Sequence, residues 1–141
     1  MKKNVFLICS LILSGIVSAQ TILKPEIPET RFSVTDYGAS ASALDNTVAI
    51  QKTIDECSAA GGGSVIIPAG TFMCGPIVMK SNINLVLDDG CILKALPYGK
   101  GNGIVEGSYP NNGKPDRYAH LISGKRVQNI KVSGKGVIEG D

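Results

Sequence analysis

The chain has 141 residues, of which 43% are hydrophobic and 18% are charged, and its formal net charge at pH 7 is +2. This length suits one small domain. The net charge is too close to zero for a nucleic-acid-binding surface, so we expect no nucleic-acid partner. One histidine and widely spaced cysteines match no metal-ligand pattern, so we expect no metal and no cofactor.

The first 19 residues are predicted to be a secretory signal peptide. Lys2 and Lys3 precede an apolar run over residues 5–17, and small residues lead to a cleavage point after Ala19. The run is shorter than the about 20 residues that a membrane-spanning helix needs. We therefore expect export to the periplasm or the medium, with no membrane partner after cleavage.

A linker and an amphipathic helix are predicted next. Residues 20–31 contain two prolines and no periodicity, which is typical of an extended linker. After the β-like stretch RFSVTDYG, Ile50, Ile54 and Cys57 recur at helical spacing opposite a polar face. This pattern predicts a helix over about residues 47–60, with Asp45 or Asn46 as its N-cap.

The stretch AAGGGSVIIPAG, residues 59–70, has the glycine content of a phosphate-binding loop. Such loops run from a strand through the glycines into a helix, so that the ligand meets the positive helix N-terminus. Here the helix comes first, and the glycines lie at its negative end. We interpret Gly61 as the residue that ends the helix, and the stretch as a break between two elements.

Short strands are predicted after the helix, and no second helical pattern follows. The segments NINLVLDDGCILKA and NIKVSGKGVIEG share an order of Asn, alternating strand, Gly turn and short apolar strand, with a gap of one or two residues. This repeat favours stacked coils of an all-β solenoid over a closed sandwich. The strand candidates are Ser64–Ile67, Thr71–Met79, Ile83–Leu87, Cys91–Lys94, Ala119–Ile122, Asn129–Val132 and Val137–Glu139.

A Gly- and Pro-rich loop over Leu96–Ala119 separates the two repeats. Two interpretations stay open: a loop that binds uronic acids, or an insertion that packs on the side of the solenoid. The second is favoured. The tyrosines and cations in the loop are Tyr98, Tyr109, Tyr118, Lys100, Lys114 and Arg117.

Three cysteines remain after signal cleavage, namely Cys57, Cys74 and Cys91. An odd number allows at most one internal disulfide. Cys57 and Cys74 could pair across neighbouring coils, although spacing alone does not show it. Buried structural thiols are the favoured interpretation.

The motif order resembles the N-terminal part of glycoside hydrolase family 28, the polygalacturonases and their relatives, over residues 32–141. The matching segments run in order: FSVTDYGA, DNTVAIQKTIDEC, GGGSVIIPAGTF, GPIVMKSNINLVLDDGCIL and LISGKRVQNIKVSGKGVIEG. The resemblance implies a pectin-lyase-like, right-handed parallel β-helix whose N-terminal end is capped by the helix. It also implies a monomeric enzyme that hydrolyses α-1,4-galacturonosyl links in pectin with inversion.

No catalytic residue is assigned within residues 1–141. The family's Asn-Thr-Asp, Asp-Asp, Gly-His-Gly and Arg-Ile-Lys motifs normally lie downstream of the matched region. The sequence stops at GVIEGD, partway through a rung pattern, so we expect a truncated N-terminal segment that is inactive alone.

Three short features resemble catalytic motifs without completing them. The NTV stretch that begins at Asn46 lacks the Asp and lies at a helix start. Asp88 and Asp89 lie in an early rung beside a turn glycine, where Asp is common for local reasons. His120 begins a strand and is not flanked by glycines. Each is interpreted as structural.

Two alternatives to the hydrolase stay open. A pectate-lyase-like eliminase would use Ca²⁺ and a basic residue that abstracts a proton, although no carboxylate cluster for calcium is visible. A non-catalytic carbohydrate-binding or structural β-helix fragment would bind sugar without turnover. The sequence does not decide the pectic substrate or between endo and exo action.

Overall fold

The computed structural model describes residues 26–97 and 120–140. The predicted signal peptide, half of the linker and most of the Gly- and Pro-rich loop lie outside these residues. The described elements, in chain order, are β1 (Arg31–Ser33), a 3-10 turn (Val34–Tyr37), α1 (Thr47–Ala59), β2 (Gly63–Ile67), β3 (Gly70–Cys74), β4 (Ile77–Val78), β5 (Ile83–Leu87), β6 (Cys91–Ala95), β7 (Ile122–Ser123), β8 (Ile130–Gly134) and β9 (Val137–Glu139).

The strands form three sheets, and every described strand pair is parallel. One sheet has the order β1-β2-β5-β8, the second β3-β6-β9, and the third pairs β4 with β7. From β2 onwards, consecutive strands visit the three sheets in a fixed cyclic order. From β5 onwards, each strand therefore pairs with the equivalent strand of the preceding circuit.

The internal repeat predicted from the sequence is confirmed by the register of these sheets. Ile83 of β5 pairs with Ile130 of β8, and Ile92 of β6 pairs with Val137 of β9. The second segment is thus two residues shorter than the first between these paired positions. Asn82 and Asn129 precede the paired strands with φ of 62° and 54°, and Asn129 Nδ2 donates to Asn82 Oδ1 over 2.9 Å.

Two of the predicted strands differ clearly from the described ones, and the other five agree within two residues at each end. The segment Thr71–Met79 was expected as one strand, but β3 ends at Cys74 and β4 begins at Ile77. Pro76 lies in the gap and has no N–H to donate to a ladder, so the strand breaks there. A strand was also predicted at Ala119–Ile122. The described strand, β7, lies later in the chain, at Ile122–Ser123.

The hydrophobic core consists of alternate strand residues and one face of α1. Val65 lies beside Leu85 on the neighbouring strand of the first sheet, and Phe72 lies beside Leu93 in the second. All four are buried, because successive strand side chains point to opposite faces. Each such side chain contributes about 1.5–3 kcal/mol through burial.

Helix α1 matches the predicted span, and its buried face is Ile50, Thr53, Ile54 and Cys57. Gly61 ends it as predicted: its φ is 97° and its N–H donates to Ser58 O over 3.0 Å, while the Gly62 N–H donates to Cys57 O over 2.9 Å. These are the two bonds of a Schellman motif. None of the described helices has the length and apolar character to cross a membrane.

The start of α1 differs in detail from the predicted cap. Asn46 occupies the N-cap position, but its side chain makes no capping bond to the helix. Its Oδ1 accepts from the Ser40 N–H over 2.8 Å, and its Nδ2 donates to Met73 O over 3.3 Å. Asp45 supplies the local bond instead, because its Oδ1 accepts from the Thr47 N–H over 2.8 Å.

Candidate functional site

Asp88 and Asp89 lie in a tight turn between β5 and β6. The Cys91 N–H donates to Asp88 O over 3.0 Å, and Gly90 has a φ of 79°. This is the pattern of a type II turn, which requires a positive φ at its third residue. Asp89 is exposed and Asp88 is half-buried. The turn gives a local reason for Asp and Gly at these positions, and their lack of a catalytic role stays a prediction.

The NTV stretch and His120 also have local surroundings. The Thr47 hydroxyl accepts from the Gly75 N–H over 2.6 Å, and Val48 is 81% exposed on the helix surface. His120 is exposed and precedes β7. Within residues 26–97 and 120–140, no three His, Cys, Asp or Glu side chains come together in a way that could hold a metal ion.

The three cysteines are buried free thiols, and Cys57 is not bonded to Cys74. Burial, with a smaller contribution from Asp45, raises the pKa of Cys74 to about 12. Burial and Asp88 raise the pKa of Cys91 to about 11. Burial also raises the pKa of Cys57. Since the thiolate is the nucleophilic form, the raised pKa values disfavour reaction of these three thiols near neutral pH.

A trough of about 700 Å³ with a mixed polar and apolar lining crosses the outer face of the four-stranded sheet. Ser64, Asn84 and Lys131 line it from the sheet, and residues 26–29 line it from the incoming chain. Arg31 extends the same row, because the register places Arg31, Ser64, Asn84 and Lys131 side by side on four neighbouring strands. We call these four residues the outer-face row.

The donors of the outer-face row remain available to a ligand. Asn84 Oδ1 accepts from the Ser133 hydroxyl over 2.8 Å, which fixes the orientation of its amide. Neither Arg31 nor Lys131 forms an ion pair with another described residue. The face can therefore bind a polar or acidic molecule.

Sequence reasoning did not find the outer-face row. Its members come from strands that lie far apart in the chain, and only the register brings them together. Part of the signal was present, because aligning NINLVL with NIKVSG already places Asn84 beside Lys131. The tyrosines and cations of the Gly- and Pro-rich loop lie within residues 98–119, outside the described part of the chain, so neither interpretation of that loop is tested.

The chain is similar to enzymes that act on galacturonans. It is 31% identical to an exo-poly-α-D-galacturonosidase of Dickeya chrysanthemi over 138 residues, 91% of this chain and 22% of that protein. It is 30% identical to an endo-polygalacturonase of Pectobacterium parmentieri over 149 residues, 93% of this chain and 34% of that protein. The chain thus spans between a fifth and about a third of these relatives.

The chain is also similar to solved structures of exopolygalacturonases. An exopolygalacturonase from Thermotoga maritima aligns with a TM-score of 0.67 and 29% identity, over 84% of this chain and 27% of that one. A family 28 exopolygalacturonase from Yersinia enterocolitica aligns with a TM-score of 0.59 and 32% identity, over 80% of this chain and 21% of that one. These similarities confirm the resemblance to glycoside hydrolase family 28.

A family match covers most of the chain. Residues 31–141 match the family described as rhamnogalacturonase A/epimerase, pectate lyase-like. The match begins at β1 and includes α1 and all the described strands. The chain therefore belongs to this pectate-lyase-like family.

Proposed function

We propose that the chain is the N-terminal portion of an exported glycoside hydrolase that cleaves α-1,4-galacturonosyl links in pectin. The observation that carries this proposal is the alignment of nine-tenths of the chain with an exo- and an endo-acting galacturonan hydrolase. The proposed reaction is inverting: one carboxylic acid protonates the leaving oxygen, and another carboxylate activates water from the opposite face. These carboxylates would lie beyond Asp141.

The proposed architecture of this portion is a right-handed parallel β-helix, a solenoid of stacked coils. The cyclic visiting order of the three sheets and the in-register repeat support it. In such a solenoid each coil contacts only its neighbours, so the register of the first coils determines that of later ones. The proposed role of residues 31–140 is to hold the later strands, and the catalytic groups they carry, in place.

Helix α1 is proposed to cap the first coil, and its side chains support this by bonding the backbone of β4. Gln51 Oε1 accepts from the Val78 N–H over 2.8 Å, and Gln51 Nε2 donates to Val78 O over 3.1 Å. The Gln51 amide thus makes the two backbone hydrogen bonds that a neighbouring strand would otherwise make. Covering strand edges in this way protects a sheet from pairing with other chains.

The opposite end is proposed to carry further coils. Val132 and Ile138 pair in register with Leu85 and Leu93, which are fully buried. Val132 and Ile138 are 49% and 46% exposed. They occupy core positions of the repeat without a covering layer. An apolar surface of this kind is favourable only when another coil packs on it.

Enzymes of another activity, the mannuronan C5-epimerases, share part of this sequence. A mannuronan C5-epimerase, AlgE3 of Azotobacter vinelandii, is 42% identical over 64 residues, but this covers only 39% of the chain. The polygalacturonase alignments extend over more than twice that share. A second epimerase of that organism, AlgE1, is 39% identical over 63% of the chain, which is still less than the polygalacturonase alignments cover. The longer match favours hydrolysis over epimerisation.

The products on polygalacturonate test the proposal. The protein expressed from its full reading frame is expected to release reducing ends without unsaturated, ultraviolet-absorbing products and without added Ca²⁺. The 141-residue chain is the matched control and is expected to release none. Unsaturated products would indicate an eliminase, and activity of the 141-residue chain would contradict the assignment of catalysis to later residues.

A further inference from the structure

We propose that the outer-face row, Arg31, Ser64, Asn84 and Lys131, is a subsite for an acidic oligosaccharide that runs across the strands. The choice of a saccharide rests on the proposed function. The choice of an acidic one rests on the two cations, which stand at the two ends of the row. Between them lie a hydroxyl and an amide, which suit the hydroxyl groups of sugars.

The spacing of the row suits an extended chain. Neighbouring strands lie about 4.8 Å apart, so the Cα atoms of Arg31 and Lys131, three strands apart in the sheet, are separated by about 14 Å. A ligand that crosses the sheet at right angles to the strands meets each side chain in turn. An acidic sugar near each end would place a carboxylate beside a guanidinium or an ammonium group, and such charge-assisted bonds are stronger than neutral ones.

The floor of the subsite is already oriented. Ser64 and Asn84 are half-buried, and the Ser133 hydroxyl holds the Asn84 amide through its Oδ1. The Asn84 NH₂ group has no hydrogen-bond partner among the described residues, so it can donate to a ligand oxygen. A donor that is fixed before binding loses less side-chain entropy when the ligand arrives.

The carboxylates of the trough narrow the class of ligand. Glu26 and Glu29 belong to the wall formed by the incoming chain. They can accept hydrogen bonds from sugar hydroxyls, but they repel closely spaced negative charges. The mixed lining therefore favours a hydroxyl-rich chain with one carboxylate per sugar over a dense polyanion.

Calorimetric titration of the 141-residue chain with a short oligogalacturonate tests the subsite. The variant Arg31→Gln/Lys131→Gln is expected to bind at least tenfold more weakly than the parent chain. The control Lys52→Gln/Lys125→Gln removes two exposed cations elsewhere and is expected to change the affinity less than twofold. The fully methyl-esterified oligogalacturonate, which has no charge, is expected to bind the parent weakly and the Arg31/Lys131 variant no worse.

A second variant covers the case in which the double substitution disturbs the fold. Ser64→Asp adds a carboxylate to the floor and is expected to weaken oligogalacturonate binding at least tenfold, with an unchanged circular dichroism spectrum. Equal losses in the test and control variants, or unchanged binding by Ser64→Asp, would overturn the subsite. A loss of affinity in the Arg31→Gln/Lys131→Gln variant but not in the control supports the subsite. Failure of the full-length protein to hydrolyse pectin would overturn only the proposed function and not the subsite.

Discussion

At the scale of single residues, the structure assigns local bonding roles to side chains whose types also occur in catalysis. Asp88 and Asp89 belong to a turn, and Asn46 bonds the loop before α1 and the end of β3. Asn82 and Asn129 adopt a left-handed backbone and join neighbouring coils through their amides. These polar residues therefore form hydrogen bonds that stabilise turns and loops or connect neighbouring coils.

Asn82 offers a direct test of the contact between coils. Asn82→Ala removes the acceptor for Asn129 and places a Cβ-bearing residue without a local polar bond at a φ of 62°. We expect the free energy of unfolding to fall by about 2 kcal/mol, because lost hydrogen bonding adds to left-handed strain. The control Asn82→Gly loses the same bond without the strain, so urea denaturation should show a loss about 1 kcal/mol smaller.

If Asn82→Gly were destabilised as much as Asn82→Ala, the left-handed conformation would not matter for stability. A loss of stability in neither variant would contradict the role of the amide contact between coils.

The buried thiol of Cys74 predicts a specific dependence of stability on pH. Its folded pKa is raised from 9.0 to about 12, so between these values the folded state binds more protons than the unfolded state. The stabilising contribution is therefore fully present below pH 9 and decreases as the pH rises towards 12. We expect the stability advantage of the parent chain over Cys74→Ala, measured by urea denaturation, to narrow above pH 9. A constant advantage would contradict the raised pKa.

At the scale of elements, α1 contributes both an apolar face and polar bonds to the strand edge. Its buried residues join the core, and Gln51 bonds both backbone groups of Val78. Gln51 Nε2 also donates to Asp55 over 3.1 Å, and Asp55 pairs with Lys80 over 2.9 Å. The helix is thereby bonded to β4 and to the residues that follow it.

Replacing Gln51 should reveal the value of this edge contact. Gln51→Ala removes both bonds to Val78, and we expect a loss of about 1–2 kcal/mol in the free energy of unfolding. Lys52→Ala on the same helix is the control, because Lys52 is exposed, and we expect a change within about 0.5 kcal/mol. Equal effects of the two substitutions would show that the Gln51 amide does not stabilise the edge of β4.

How far sequence alone predicts this structure depends on the range of the signal. Periodicity predicted α1, the glycine after it predicted its end at Gly61, and the similarity of two short segments predicted the internal repeat, because each signal is local. The break at Pro76 was missed because the flanking apolar residues continue the strand pattern. The outer-face row was missed because Arg31 and Lys131 meet only through three strand registers, which no local pattern encodes.

At the scale of the whole molecule, the two ends of the described coils differ. At one end Gln51 of α1 bonds the backbone of β4, which supports the proposed cap, whereas the other end presents the side chains of core positions. This asymmetry is what a solenoid requires if coils are added in one direction only.

Charged substitutions at the uncovered end test whether further coils pack there. In the protein expressed from its full reading frame, Val132→Glu/Ile138→Glu is expected to abolish folding, because two carboxylates would be buried without partners. Leu44→Glu/Val48→Glu is the control, since both residues are exposed near α1, and we expect normal folding and activity. Unchanged thermal stability of Val132→Glu/Ile138→Glu would contradict the stacking of later coils on β8 and β9.

The central claim, that these residues are the front portion of a galacturonan hydrolase, is tested most directly by reading the coding DNA beyond codon 141. The account predicts an open frame that encodes, in order, Asn-Thr-Asp, an Asp-Asp pair, Gly-His-Gly and Arg-Ile-Lys within further coil-length repeats. A stop codon directly after Asp141, or a continuing frame without these carboxylates, would contradict it.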